Sequence, residues 1–305
     1  MLLSAVIFMQ PAERGAIPSD QGRSMDAIFR GWVKEMDEGL WSALHPTAGE
    51  TNGAAAMNGK FTGIQPYTIS NLHGAAPPQE KLYLDPGSSV WWRITSLDPA
   101  LSCFILQLLR DKVRQHSPCV IGGQAFYPTG FEIDASRYCW AGHTTYDELC
   151  RRYLMSESLP SGKFRLVFDS PTYLSDKDKV VPFPLPELMV KQWMRKWNGR
   201  VSWLQNWPSR NEWLARSDES NQFIPADDGL LEFARTSVGA NYYSLQTAQS
   251  SYFRTPFIGF TGTCSYKVLN SHPTWSRWLE ALVHFALYCG TGGKTSFGFG
   301  QTCIP

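Results

Sequence analysis

The residues best suited to chemistry sit in two places. One is the run Gly290-Thr291-Gly292-Gly293-Lys294-Thr295-Ser296-Phe297-Gly298-Phe299-Gly300. Glycine is needed where φ is positive or where another backbone must come close. Consecutive amides in such a run can form a concavity for an anion, and Lys294, Thr295 and Ser296 add donors suited to phosphate oxygens. The spacing predicts a backbone cradle for a polyanion built on Gly290, Gly292, Gly293, Gly298 and Gly300. Phe297 and Phe299 alternate with small residues as in a buried strand, which disfavours a disordered tail. The second place is His45, where a long helical pattern meets a stretch rich in Gly, Ala, Asn and Thr. A side chain there can face a ligand and move a proton near neutral pH. Basic residues also pair at i, i+4, Lys191 with Arg195 and Lys196 with Arg200.

Several chemistries are excluded. In a P-loop the first glycine would fall at position 288, which is Tyr288, and the run follows a helix instead of a strand. The dinucleotide fingerprint fails for the same reason. The six His show no metal-ligand spacing on one element, and no G-x-S-x-G elbow occurs. No metal or cofactor is expected. The seven Cys are dispersed and odd in number, without C-x-x-C, which predicts reduced thiols in a cytoplasm. Net charge is +1, so a nucleic-acid site must be a local stripe or groove. The apolar start, Leu2 to Met9, lacks a basic segment and a cleavage site and reads as a strand; no run is long enough to span a membrane.

The elements that must carry these residues follow from periodicity. Residues 2–10 read as a buried strand. Met25, Ile28, Phe29, Trp32, Val33, Met36 and Leu40 mark one long amphipathic helix, extendable through Leu44 and stopped by Pro46. Strands follow at 67–72 and 90–97, with a further extended piece at Leu82-Tyr83. Asp98 caps a helix with Pro99 in its first position, and a strand covers about 125–133. This β-α-β-β-α-β order is the ferredoxin-like unit. A second pass begins at the strand 164–168, taken to end at Ser170-Pro171. A helix with Leu188, Trp193, Met194 and Trp197, a turn-rich stretch at 203–230, strands at 242–247 and 257–268, a helix after Pro273 and a final strand complete it. The expected fold is α+β, two tandem ferredoxin-like (RRM-like) domains, 1–142 and 143–305, ending in the glycine-rich loop. His284 reads as structural and His272 as a local cap.

The run from Gly290 to Gly300 resembles the glycine-rich signature of the CRISPR-associated endoribonuclease that processes precursor CRISPR RNA, within the RAMP superfamily. Leu44-His45 with Pro66-Tyr67-Thr68-Ile69-Ser70 is similar to that family's N-terminal His segment and following strand. Phe168-Asp169-Ser170-Pro171-Thr172, Phe183-Pro184-Leu185-Pro186 and Arg195-Lys196-Trp197-Asn198 resemble the start of its second domain, and Phe257-Ile258-Gly259-Phe260-Thr261-Gly262 a late strand. The resemblance implies RNA in the groove between two ferredoxin-like domains. It implies metal-independent cleavage by attack of a ribose 2′-OH, leaving a 2′,3′-cyclic phosphate and a 5′-OH. That chemistry needs a base, an acid and a cation near the phosphorane. His45 matches the family's catalytic His, Lys60 is a candidate cation and Tyr67 a candidate partner. Gly290 to Gly300, with Lys191 and Arg195, would bind RNA. The implied partners are CRISPR repeat RNA and its product, with other Cas proteins of an effector complex, in a bacterial or archaeal cytoplasm without membrane attachment. The alternative is a non-cleaving RAMP subunit that binds guide RNA in a surveillance complex.

Overall fold

A computed structural model describes residues 1–44, 65–74, 81–158, 160–177, 179–201, 227–250 and 257–305. The first half is organised on β1 (Leu2–Pro11), whose apolar run is buried almost throughout. A strand covered on both faces needs that continuity. It pairs antiparallel with β5 (Val90–Ser96) on one side and β7 (Gln124–Glu132) on the other. β3 (Tyr67–Ile69) lies outside β5 and β6 (Cys119–Ile121) outside β7, and β8 (Gly142–Thr144) pairs with the start of β1. β2 (Gly15–Pro18) and β4 (Lys81–Leu84) form a separate ribbon.

Two helices cover one face of this sheet, α1 (Gly22–Met36) and α3 (Pro99–Arg114). Met25, Phe29, Trp32 and Val33 from α1 meet Leu101, Ile105 and Leu108 from α3 over Ala5, Ile7, Trp92 and Ile94. β5 therefore sends Trp92 and Ile94 into this core, and Trp91, Arg93 and Thr95 point the other way. Asp98 caps α3 by accepting from the Leu101 amide at 2.9 Å, with Pro99 in the first position. The single long helix expected from residue 24 onward is two. Asp37 takes an extended conformation (φ −152°, ψ 97°). Its carboxylate accepts from the Leu40 amide at 2.8 Å, opening α2 (Glu38–Leu44). A side chain that satisfies an orphan helix amide competes with helix continuation.

The second half repeats the plan. β9 (Lys163–Thr172) is central between β13 (Phe257–Val268) and β14 (Thr302–Cys303), and β12 (Val238–Ser250) lies outside β13. In each half the sheet reads second, third, first, fourth strand, the antiparallel ferredoxin-like order. α5 (Pro186–Val201) and α7 (Pro273–Cys289) supply the two crossovers, joined by α4 (Tyr146–Tyr153) and α6 (Asp227–Ser237). The hairpin of β10 (Leu174–Asp176) and β11 (Lys179–Val181) precedes α5. Trp193 and Trp197 are fully buried, and Trp197 meets Tyr146, Phe285 and Trp278 edge-on. β9 runs on through Pro171 to Thr172, past the expected stop. The Pro171 carbonyl accepts from the Gly300 amide at 3.1 Å, so chain beyond the proline is still held. α6 begins within the stretch read as turns. α4 opens on a full capping box, Thr145 with Glu148, a signal present in the sequence. Among the described residues no helix is long and apolar enough to cross a membrane. All seven cysteines are free thiols.

Candidate nucleic-acid interface

Where α7 ends, the chain folds into a compact segment between the two sheets. Gly290 (φ 63°) stops the helix, and its amide still donates to the Ala286 carbonyl at 2.9 Å. A positive φ with an extended ψ (174°) is a conformation that glycine adopts readily. Lys196 lies buried beneath this turn, with Nζ donating to the carbonyls of Cys289 (2.6 Å) and Gly290 (3.1 Å). Burial pulls its pKa down to about 8, against a raising effect from Cys289. The Thr291 amide donates to the Gly300 carbonyl at 2.8 Å, which closes the segment on itself. Thr291 Oγ1 accepts from Trp193 Nε1 at 3.1 Å and from Thr302 Oγ1 at 2.8 Å. A 3-10 turn at Thr295–Phe297 then leads to Gly298 (φ 87°) and Gly300 (φ 64°).

The glycines serve close approach, and the nearest backbones belong to the protein itself. A Cβ at Gly300 would collide with the Thr291 carbonyl, one at Gly292 with the Tyr173 carbonyl, and one at Gly22 of α1 with the Phe297 carbonyl. The amides of Thr291, Gly293, Phe297 and Gly300 all bond within the protein. Thr295 and Ser296 are buried, while Gly293 and Lys294 are partly open. Lys294 itself holds a left-handed conformation (φ 54°), which presents it at a corner. Partial burial and then the charge of Arg23 lower its pKa. Arg23 belongs to the first turn of α1, so two cations and a helix N-terminus meet at this corner. Anions are favoured at such an end. Lys191 and Arg195 stand elsewhere. They share the exposed face of α5, opposite Trp193 and Trp197, and Lys191 lies 3.7 Å from Asp176.

His45 and Lys60 lie outside the described residues. Tyr67 is buried at 2% exposure and stacks edge-on against Phe29. Its hydroxyl donates to Asp26 Oδ1 at 2.9 Å, and burial followed by the Asp26 charge pushes its pKa up. Asp26 Oδ2 holds Arg30 at 2.5 Å. Tyr67 thus orients a buried carboxylate that orients a guanidinium about one-third exposed on α1. The i, i+4 spacing of Asp26 and Arg30 was readable; their link to Tyr67 was not.

The seam holds a second group, around His73, which the sequence offers as the next candidate after His45. His73 follows β3 and stacks on Trp91 with ring centroids 4.1 Å apart. Its Nδ1 stands 3.0 Å from Asp169 on β9, a contact of proximity without hydrogen-bond alignment. Burial raises the Asp169 pKa, but the close contact with His73 and the charge of Arg93 outweigh it and hold the carboxyl below its ordinary value. Among the described residues no group of three or more His, Cys, Asp or Glu side chains could hold a metal.

The family model of the CRISPR-associated endoribonuclease Cas6 matches residues 166–302. No curated protein matches the chain. Among solved structures, a product complex of Cas6 (TTHB231) aligns with a TM-score of 0.70 at 18% identity, over all of both chains. The same protein from Thermus thermophilus gives 0.62 at 18% identity, over all of this chain and 98% of that one. A product complex of Cas6 (TTHA0078) gives 0.66 at 20% identity, again over all of both chains. The chain is thus similar to the CRISPR-associated endoribonuclease Cas6 family in sequence over residues 166–302 and in fold over its whole length.

Proposed function

We propose that the protein is an endoribonuclease that cuts precursor CRISPR RNA within its repeat. The observation that carries this reading is the family match over 166–302, which contains the segment at the seam of the two sheets. The matching family is one of CRISPR-associated endoribonucleases, and the structural neighbours include Cas6 product and substrate-mimic complexes. RNA enters the groove between domains 1–142 and 143–305. The corner of Lys294 and Arg23 at the start of α1 supports its backbone, and the glycines hold the segment that presents this corner. Lys191 and Arg195, on the exposed face of α5, meet RNA that extends beyond the seam.

The reaction is attack of the ribose 2′-OH on the adjacent phosphate, giving a 2′,3′-cyclic phosphate and a 5′-OH without a metal. His45 transfers the proton. Lys60 supplies positive charge, and Arg30, aimed by Asp26, supplies it from α1. Charge placed where the phosphorane develops lowers the barrier because it needs no reorganisation in the transition state. Tyr67 acts from inside the core by fixing Asp26. The product stays bound as part of an effector complex with other Cas proteins. Incubating the purified protein with repeat RNA in EDTA tests this. A single cut with a cyclic-phosphate end is expected. RNA that binds and stays whole identifies a non-cleaving RAMP subunit instead.

A further inference from the structure

We propose that Arg93 and Gln301 are positioning residues that set which phosphate is cut. The inference rests on the reading above, in which RNA is gripped at a corner where Lys294 of the second half meets α1 of the first, and is cut by groups of the first half. Arg93 is 0% exposed, so it cannot touch RNA itself. Its side-chain hydrogen bonds all reach the other half. Nε and Nη2 donate to Gln301 Oε1 at 3.0 and 2.6 Å, and Nη1 to the Thr302 carbonyl at 3.4 Å. The guanidinium lies over Trp140, 4.8 Å from the ring centroid. Burial lowers its pKa to about 10, with Cys303 and Asp169 acting against that, so it is charged at neutral pH. The facing carboxylate, Asp169, is the one beside His73.

Gln301 distributes this hold. Its Nε2 donates to the Ile69 carbonyl at 2.9 Å and to the Phe299 carbonyl at 3.4 Å. Its amide donates to Ser170 Oγ at 2.9 Å, and its carbonyl accepts from the Asp169 amide at 3.1 Å. One side chain therefore joins β5, β3 and the segment that ends at Gly300. β3 carries Tyr67, which fixes Asp26 and Arg30 on α1. Directional bonds run from Phe299 through Gln301 to Ile69, and, two residues back along β3, from Tyr67 through Asp26 to Arg30. Cohesion alone would not need a buried cation, because apolar side chains of similar volume usually serve stability as well or better. Directional bonds to a planar guanidinium fix a relative placement that apolar contact leaves free to slide. The quantity fixed is the offset between Lys294 in the gripping corner and the cation Arg30 on α1.

The test is to map product ends at single-nucleotide resolution for wild type, Gln301→Met, Arg93→Lys and Arg93→Met, below each protein's unfolding temperature and with protein saturating. Wild type is expected to give one end. Gln301→Met removes four side-chain bonds and should spread the cut over neighbouring phosphates, with the ratio of correct to neighbouring ends falling at least about fivefold, the factor carried by a single buried hydrogen bond. Arg93→Lys should fall between Gln301→Met and wild type. If Arg93→Met melts, Gln301→Met still decides. A folded Gln301→Met that cuts at the single wild-type phosphate overturns the proposal, even if its melting temperature or total yield has dropped. A Gln301→Met that never folds also overturns it, since the node is then scaffold. Wild type that leaves RNA whole would instead remove the enzymatic reading on which the proposal rests.

Discussion

The two halves share one strand order and differ in how they close. In the first, the last strand of the unit, β7, has nine residues and pairs with β1 from Val6 to Pro11. In the second, β14 has two residues and pairs only with Val167 and Phe168 of β9. The chain uses the intervening length for the segment between Gly290 and Gly300, seated between the sheets. That is also where buried polar groups gather: Arg93, Thr95, Lys196, Thr291, Gln301 and Thr302. A complete sheet edge satisfies its backbone by repetition. A folded segment has to satisfy it bond by bond, with side chains drawn from both halves. The first half is thus a regular frame, and the second ends in a specified shape.

Breaking that shape should cost most at Gly300. Gly300→Val combines a left-handed φ with a collision against the Thr291 carbonyl, and should lower stability by several kcal/mol, about 3 or more. Thermal unfolding checks it. The same change at Gly130 of β7, where a Cβ meets open space, should have little effect, which sharpens the contrast between the halves. Lys196 comes next. Its folded pKa of about 8 lies below its ordinary 10.5. The unfolded chain therefore binds more protons between those values, and stability from this residue rises as pH goes from 8 to 10.5. Below 8 the cost of burying the charge is fully present. Denaturation of wild type against Lys196→Met across that range should show the difference moving toward wild type by up to about 3 kcal/mol.

Thr95→Val removes the bond from Thr95 Oγ1 to the Tyr288 carbonyl (2.6 Å) together with those to the Thr68 amide and hydroxyl, and should cost about 2 kcal/mol. A loss shared by RNA affinity beyond that amount would make the bond part of the grip. The smallest effect belongs to Lys294→Ala, which should leave folding intact and lower the salt slope of RNA binding by roughly 0.7 to 0.9. An unchanged slope would place Lys294 away from the RNA backbone.

The regular frame was legible because its signals are local. Asp98-Pro99 marked α3, and the β-branched and aromatic run over residues 90–97 marked β5, as the structure shows. His272 caps α7 through Nδ1, accepting from the Trp275 amide at 3.3 Å. His284 stacks on Tyr153, with a pKa near 4 from burial and then Arg152, as a structural histidine would. The specified shape was less legible. A glycine string is written the same way whether a ligand's backbone or the protein's own comes close. Arg93 and Gln301 meet across 208 positions of sequence, and no periodicity signals that. Asp37 was hidden for another reason: a capping aspartate inside an unbroken apolar period shows only when both readings are weighed.

The central claim is a division of labour, with grip at the seam and proton transfer at His45. Its most direct measurement is single-turnover cleavage of repeat RNA by His45→Ala beside RNA affinity, in EDTA, with a 2′-deoxyribose substrate as control. The account predicts affinity close to wild type, a rate lower by at least about 10²-fold, and no cut of the deoxy substrate by either protein. Cleavage by His45→Ala at the wild-type rate would contradict it.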